Sequence, residues 1–269
     1  MHLGSSPIYR TRLNYVLRVK HFLWIYLKER LMLSMFNYFH PLNQLQRKRA
    51  RYINKHKIPD HILALLRAPL PDIDEDLLKL DYIALDIETT GFHPETDHLL
   101  SIGYLPIQNQ KILLSEAVEQ FVKSTKKIKA ETAIINHIVP EMLENGTPLN
   151  EILEKFFASL VGKVLVAHGS VIEKRFLDYY VAKQFNLPPL PLLWVDTLSI
   201  EKSFIIHKGS AQSADFRLSS TRERHGLPEY PAHGALIDAL ATAELYLALL
   251  KKRFQDDKAT FRDLKIDPS

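Results

Sequence analysis

Two acids stand one residue apart in an apolar run, Asp86 and Glu88 in "LDIETTG". Alternate residues of a strand project to the same face, so the two carboxylates point together while Leu85 and Ile87 point the other way. Burying two like charges side by side raises the pKa of at least one and costs several kcal/mol unless a cation lies between them. A divalent metal removes that cost. Taken alone, the pair also fits an edge strand with a solvated face, or an Asp86 that caps the next turn. The "TTG" that follows supplies hydroxyls and a flexible backbone where the strand ends, the place at which open α/β sheets bind ligands.

Two further acids occupy apolar helical faces. In "SVIEKRFLDYY", Glu173 lies three, four and seven residues before Phe176, Leu177 and Tyr180 and shares their core-facing stripe, whereas Asp178 follows Lys174 and Arg175 and reads as an ordinary solvated ion-pair face. In "HGALIDALATAELYLALL", Asp238 shares a stripe with Ala241, Leu245 and Leu249. Attraction to a helix N-terminus contributes up to about 1 kcal/mol, too little to hold a bare carboxylate on so apolar a face. His233 precedes that helix by a few residues. On its own it reads as a surface or capping histidine; beside three or four acids it is a candidate proton acceptor, because imidazole changes charge between about pH 5 and 8.

The elements that must position these residues follow from the periodicity. "YIALDI", "HLLSIGYLPI" and "KILLSEAVEQF" read as three strands, followed by helix "LNEILEKFFASL", strand "KVLVAHG", helix "SVIEKRFLDYYVAKQF", strand "LLWVDTL", a polar loop "HKGSAQSAD" and a long helix from "AHGALID" to "KKRF". The order predicts an α/β fold, a mixed sheet with helices on its faces. Residues 8 to 40 have helical spacing with basic residues between the apolar ones, "RKRARYINKHK" is a second basic run, and "APLPDIDEDL" reads as a joint. We therefore expect three parts: a basic helical extension over 1–79, a catalytic domain over 80–255, and a polar tail over 256–269.

Composition narrows the chemistry. The chain has 269 residues, 46 % of them apolar, and no cysteine. That excludes disulfides and thiolate zinc sites and leaves oxygen and imidazole as metal ligands. Residues 1–60 carry a formal +10, leaving residues 61–269 at −6 within a whole-chain charge of +4. Lys28, Glu29 and Arg30 interrupt the apolar N-terminal stretch and no cleavable leader pattern opens the chain, so we expect no spanning helix and a cytoplasmic location.

The motifs "DIETTG", "AHGSVIE", "VDTL" and "HGALIDALATAEL", in this order over residues 80–252, resemble those of the DnaQ-like 3′-to-5′ exonucleases of the DEDDh type, in the ribonuclease H-like superfamily. The resemblance implies a ribonuclease H-like mixed sheet and removal of nucleoside 5′-monophosphates from single-stranded 3′ ends. It implies Asp86, Glu88, Glu173 and Asp238 as ligands of two Mg²⁺ or Mn²⁺ ions and His233 as general base. It also implies Thr89, Thr90, Gly91, Phe92 and His137 as substrate contacts and Asp196 as a recurrent aspartate that holds a strand end or caps a helix.

Two positions depart from the family pattern. Gly169 follows His168 where the family has asparagine, with Glu173 in place of its aspartate, and in "INHIVPEML" Asn136 stands at the family's histidine with His137 one step later. Three readings stay open: an exonuclease acting on DNA, a ribonuclease trimming RNA, and a catalytically weakened nucleic-acid-binding or regulatory module that kept the fold. The N-terminal helices fit a packed layer, an arm for nucleic acid or a protein partner, or an interfacial membrane helix.

Overall fold

The computed structural model describes residues 37–124, 138–207, 214–231, 233–255, 258–262, 264, 267 and 268, with positions 24, 26–28, 30, 32 and 35. His137 and most of the amphipathic stretch over 8–40 lie outside these.

The central strand is β1 (Tyr82–Thr89), rich in β-branched and aromatic residues. It runs antiparallel to β2 (Leu99–Gln108), which also pairs with β3 (Lys111–Ile112) and β4 (Val118–Phe121). On its other side β1 runs parallel to β5 (Val164–Ala167), then come β6 (Leu193–Asp196), parallel to β5, and the short antiparallel β7 (Asp267–Pro268). This is the mixed sheet expected from sequence. The stretch read as one strand, "KILLSEAVEQF", divides into β3, a 3₁₀ turn at Leu114–Glu116 and β4. Pro106 of β2 stands opposite the break, and with no N–H to donate it cannot continue the ladder there.

Among the described residues, the helices with both ends placed are, in chain order, α1 (Pro41–Lys55), α2 (Asp60–Arg67), α3 (Pro140–Glu144), α4 (Leu149–Ser159), α5 (Val171–Phe185), α6 (Thr197–His207), α7 (Leu218–Arg224) and α8 (Ala235–Phe254). The period of two in β1 sorts them onto two faces. Ile83, Leu85 and Ile87 pack with Ile62 and Leu65 of α2, Phe156 and Phe157 of α4, and Phe176 and Leu177 of α5. Tyr82 and Ala84 pack with Ala239, Ala243 and Tyr246 of α8, the Tyr82 and Tyr246 rings meeting edge-on at 4.9 Å. Each large side chain buried this way contributes roughly 1.5–3 kcal/mol. Asp86 and Glu88 continue the α8-side row, beyond the point where apolar packing ends.

The N-terminal helices are part of this packing. The Tyr52 hydroxyl donates to the Pro188 carbonyl at 2.6 Å, the Arg49 Nε donates to Pro191 at 2.9 Å, and Leu42 and Leu45 join the α8-side core. The segment read as a polar tail differs from that reading. Ala259, Phe261 and Leu264 are buried beside Phe254 and Tyr246, and Leu77 N donates to Ala259 O at 2.8 Å. Its three apolar residues close the edge of the core while Arg262 between them is exposed. Among the described residues, no helix is long and apolar enough to cross a membrane.

Candidate active site

Glu88 sits at the carboxyl end of β1, only 8 % exposed, with Asp86 half-buried one pleat behind it. Because β5 is parallel to β1 and pairs Val166 with Ala84, the chain leaving β5 after Ala167 enters α5 near the level of Asp86. Gly169 makes that turn in the left-handed region at φ 77°, and its N–H donates to Asp196 Oδ1 at 2.8 Å. The same oxygen accepts from Leu198 N at 2.9 Å, so Asp196 fastens two loops at the strand end, as the recurrent aspartate does in the resemblance. Glu173 then falls in the first turn of α5, 5 % exposed, with Oε2 buried and without a hydrogen-bond partner. His168 is occupied elsewhere, Nδ1 with the Thr197 hydroxyl at 2.9 Å and Nε2 with the Phe216 carbonyl at 2.8 Å.

Helix α8 brings the remaining groups. Gly234 caps it, Asp238 lies in its first turn, and His233 precedes it at φ 70°, its backbone N–H donating to Asp238 Oδ2 at 3.0 Å. One ligand atom each from Glu88, His233 and Asp238 lie within 4.8 Å of one another. His233 is exposed, so its imidazole is open to solvent.

The electrostatics show how strained this gathering is for bare carboxylates. Asp86 is held well above the ordinary carboxylate range, first by its enclosure among packed atoms, although the residue keeps some accessible surface, and then by the charges of Glu173, Asp238 and Glu88. Burial, then Asp238 and Glu119, push Glu88 up to about 7. Glu173 is pushed to about 8, by burial and by Asp196, against the pull of its own backbone N–H and of Lys174. Asp238 is raised by burial, with His233 and Arg222 opposing. Four acids with costly charges, one of them with an orphaned buried oxygen, make an all-oxygen donor set that fits hard divalent cations.

Sequence reasoning missed Glu119 and Gly103. In register, Gly103 lies between Asp86 and Glu119 across three strands, which puts Glu119 on the same face as the acid pair. Glu119 Oε1 accepts from Leu236 N at 3.3 Å. Gly103 is the seat of α8: a Cβ there would come within 2.2 Å of the Ala235 carbonyl carbon and the Leu236 nitrogen. Both are backbone atoms and cannot swing aside. Gly103→Ala is therefore expected to push the start of α8 off the sheet, costing roughly 1–3 kcal/mol and at least tenfold in turnover. Thermal melts read the first effect and nuclease assays the second; a variant with wild-type activity would show that α8 is not seated there.

The expected substrate contacts divide. Between the acids and α8 lies a cavity of about 230 Å³ lined by Glu88, Ser101, Glu119, Phe121, Met142 and His233. The Thr89 hydroxyl donates to Gly91 O at 2.7 Å, and the Thr90 hydroxyl accepts from His98 N at 2.9 Å and donates to Asp97 at 3.3 Å. These threonines shape the turn beside the cavity with their own hydroxyls. Gly91 keeps the Asp97 carboxylate close, since a Cβ would stand 2.5 Å from it. Phe92 is 65 % exposed and lines a neighbouring cleft.

A family model described as an exonuclease, RNase T, matches residues 83–246, which span the four acids and His233. The chain belongs to this exonuclease family. Among relatives of this DnaQ-like exonuclease are the DNA polymerase III subunit epsilon of Treponema pallidum, 30 % identical over 169 residues, 63 % of this chain and 76 % of the relative, and the PolC-type DNA polymerase III of Thermotoga maritima, 31 % identical over 170 residues, 63 % of this chain. The chain spans only 9–12 % of the length of the PolC-type relatives it matches. Two solved structures share the fold. The nuclease domain of 3′hExo, a DEDDh family member bound to rAMP, has a TM-score of 0.56 at 18 % identity, covering 72 % of this chain and all of that one. Escherichia coli exonuclease I in complex with a 5cy-dT13 oligonucleotide has a TM-score of 0.55 at 15 % identity, covering 65 % and 41 %.

Proposed function

We propose that this chain is a divalent-metal-dependent 3′-to-5′ exonuclease that hydrolyses phosphodiester bonds at single-stranded 3′ ends of DNA, releasing nucleoside 5′-monophosphates. The observation that carries the proposal is the convergence of Asp86, Glu88, Glu173 and Asp238, all with raised pKa values and with Glu173 Oε2 unsatisfied, next to an exposed His233. The polymerase subunit relative and the oligonucleotide complex of exonuclease I support a DNA strand as substrate, and the former supports a polymerase as partner.

In this reading the four carboxylates hold two Mg²⁺ or Mn²⁺ ions, which when bound would neutralise charge on the scissile phosphate and lower the barrier to attack by water. His233 accepts the proton of the attacking water, and its backbone N–H to Asp238 ties the base to the acid cluster. Phosphorus gains the water oxygen and releases the 3′ oxygen of the shortened strand, which takes up a proton from solvent to become the new 3′ hydroxyl. The cavity lined by Phe121 and Met142 receives the terminal nucleoside, with the Thr89 to Gly91 turn as a further contact. Exposed Phe92 offers its ring to the base upstream, where stacking contributes about 1–3 kcal/mol with little regard for sequence.

A 5′-labelled single-stranded oligonucleotide incubated with Mn²⁺ or Mg²⁺ should yield a ladder of shortened products that EDTA abolishes, with an RNA strand in parallel to rank the two. Glu173 at the family's aspartate position favours one other reading, a module that binds without cutting. Binding of the oligonucleotide with its full length retained, with either ion, would support that reading instead.

A further inference from the structure

We infer that the outer face of α5 and the adjoining basic face of α1 form a track for the single strand upstream of the 3′ end. The inference rests on the exonuclease reading for the strand's polarity, and on separate residues for the surface itself.

An open cleft of about 440 Å³ lies between the loop after β1 and α5, lined by Phe92, His93, Arg175 and Tyr179 and also by the acids Glu95 and Asp178. Along α5 the residues facing out at four-residue steps are Val171, Arg175, Tyr179 and Lys183, of which Val171, Arg175 and Lys183 are exposed. Residues four apart stand above one another on a helix surface. The row therefore alternates cation and ring, and Lys183 Nζ lies over the Tyr179 ring at 4.7 Å from its centroid. From Arg175 to Lys183 is about 12 Å along the axis, the length of three or four stacked nucleotides at ~3.4 Å each.

The row continues onto α1. Lys48 is close enough to attract the Asp178 carboxylate, as Lys174 does, so Asp178 is opposed from both helices, while Glu95 across the cleft is exposed to solvent. Lys48, Arg51 and Lys55 are exposed along one side of α1, and Tyr52 between them anchors the helix to the end of α5 through Pro188.

Electrostatics gives this face a reason. The residues after position 60 sum to −6, and the site itself concentrates acids, so a polyanion approaching the 3′-end site gains from cations placed along its path. Alternating cations and rings suit phosphate and base in turn, without sequence preference. A docked protein would need neither the spacing nor the continuity with the cleft at Phe92.

The test uses the full chain and the double variant Arg175→Glu/Lys183→Glu, with Arg175→Lys/Lys183→Arg as the conservative control. Both positions are exposed, so the fold is retained. Fluorescence anisotropy in EDTA, with 5′-fluorescein dT4 and dT15 over a NaCl series, reads binding without cutting. Wild type should bind dT15 at least tenfold tighter than dT4. The Glu variant should lose most of that advantage, with a salt slope shallower by about 1.4, two phosphate contacts at ~0.7 each on a single strand; the conservative control should keep both. A Glu variant with the wild-type length advantage and slope, or a wild type with no advantage, overturns the track. Cleavage in Mn²⁺ is scored separately: intact oligonucleotides with a length advantage lost in the Glu variant would retain the track and discard the exonuclease reading.

Discussion

Replacing Glu88 with glutamine is expected to raise the melting temperature of the metal-free protein at pH 8 while removing nuclease activity. The two effects have one cause. Burial and the charges of Asp238 and Glu119 move the Glu88 carboxyl from 4.5 to about 7. A carboxyl whose folded pKa lies above its unfolded one binds its proton more tightly in the folded state, so stability is intact below about pH 4.5, falls as pH rises, and has lost its full share once pH exceeds about 7. At pH 8 that share is up to ~3 kcal/mol. Glutamine carries no charge and escapes it, which corresponds to a gain of up to about 5–10 °C for a domain of this size. The difference between variant and wild type should shrink towards zero at pH 4.5. Divalent metal should reverse the order, because cations remove the repulsion from the wild type and find one charged ligand fewer in the variant. Turnover should fall by about 10² to 10³ or more, the scale for deleting one preorganised electrostatic group. Melts at pH 5 and pH 8, with and without Mn²⁺, check this; a variant less stable than wild type at pH 8 without metal would show that the acid cluster carries no repulsive cost.

That repulsive cost is also what made the site readable from sequence. Strand alternation puts Asp86 and Glu88 on one face, and helical stripes put Glu173 and Asp238 among apolar residues. Each was conspicuous because a charge stood where the period demanded an apolar side chain. Glu119 was not, since in "AVEQF" it alternates outward like any exposed acid, and only the register across Gly103 brings it to the site. Gly103 did carry a signal, a glycine inside a strand, but the helix that approaches it comes from more than a hundred residues away.

Asp178 shows the reverse failure. Local spacing to Lys174 and Arg175 suggests a solvated ion pair, yet the carboxyl is half-buried and pushed up to about 6. The neighbours include Tyr52 and Lys48 of α1, a helix no local pattern near Asp178 announces. Residues 259–264 were misread for the same reason. A few apolar residues in a polar stretch have no period, and their burial depends on the gap left beside Phe254 and Tyr246. Periodicity reports the face a residue turns to its own element's partner; contacts made across the chain stay silent until the elements are assembled.

His233→Asn is the cleanest separation of catalysis from assembly in this site. The residue sits at φ 70°, a region that asparagine adopts at little cost and that alanine does not. The backbone N–H to Asp238 Oδ2, at 3.0 Å, needs no particular side chain and should persist. The four carboxylates stay in place, so the rise in melting temperature on adding Mn²⁺ should match wild type, in contrast to Glu88→Gln. If His233 acts as proposed, what disappears is the proton acceptor, and the loss of general base catalysis is expected to lower turnover by about 10² to 10⁴. His233→Gly, which carries no side-chain strain at this φ, opens the same space to solvent, and added imidazole should restore part of its activity in proportion to its neutral form. Activity in His233→Asn within a few fold of wild type would move the base to another group.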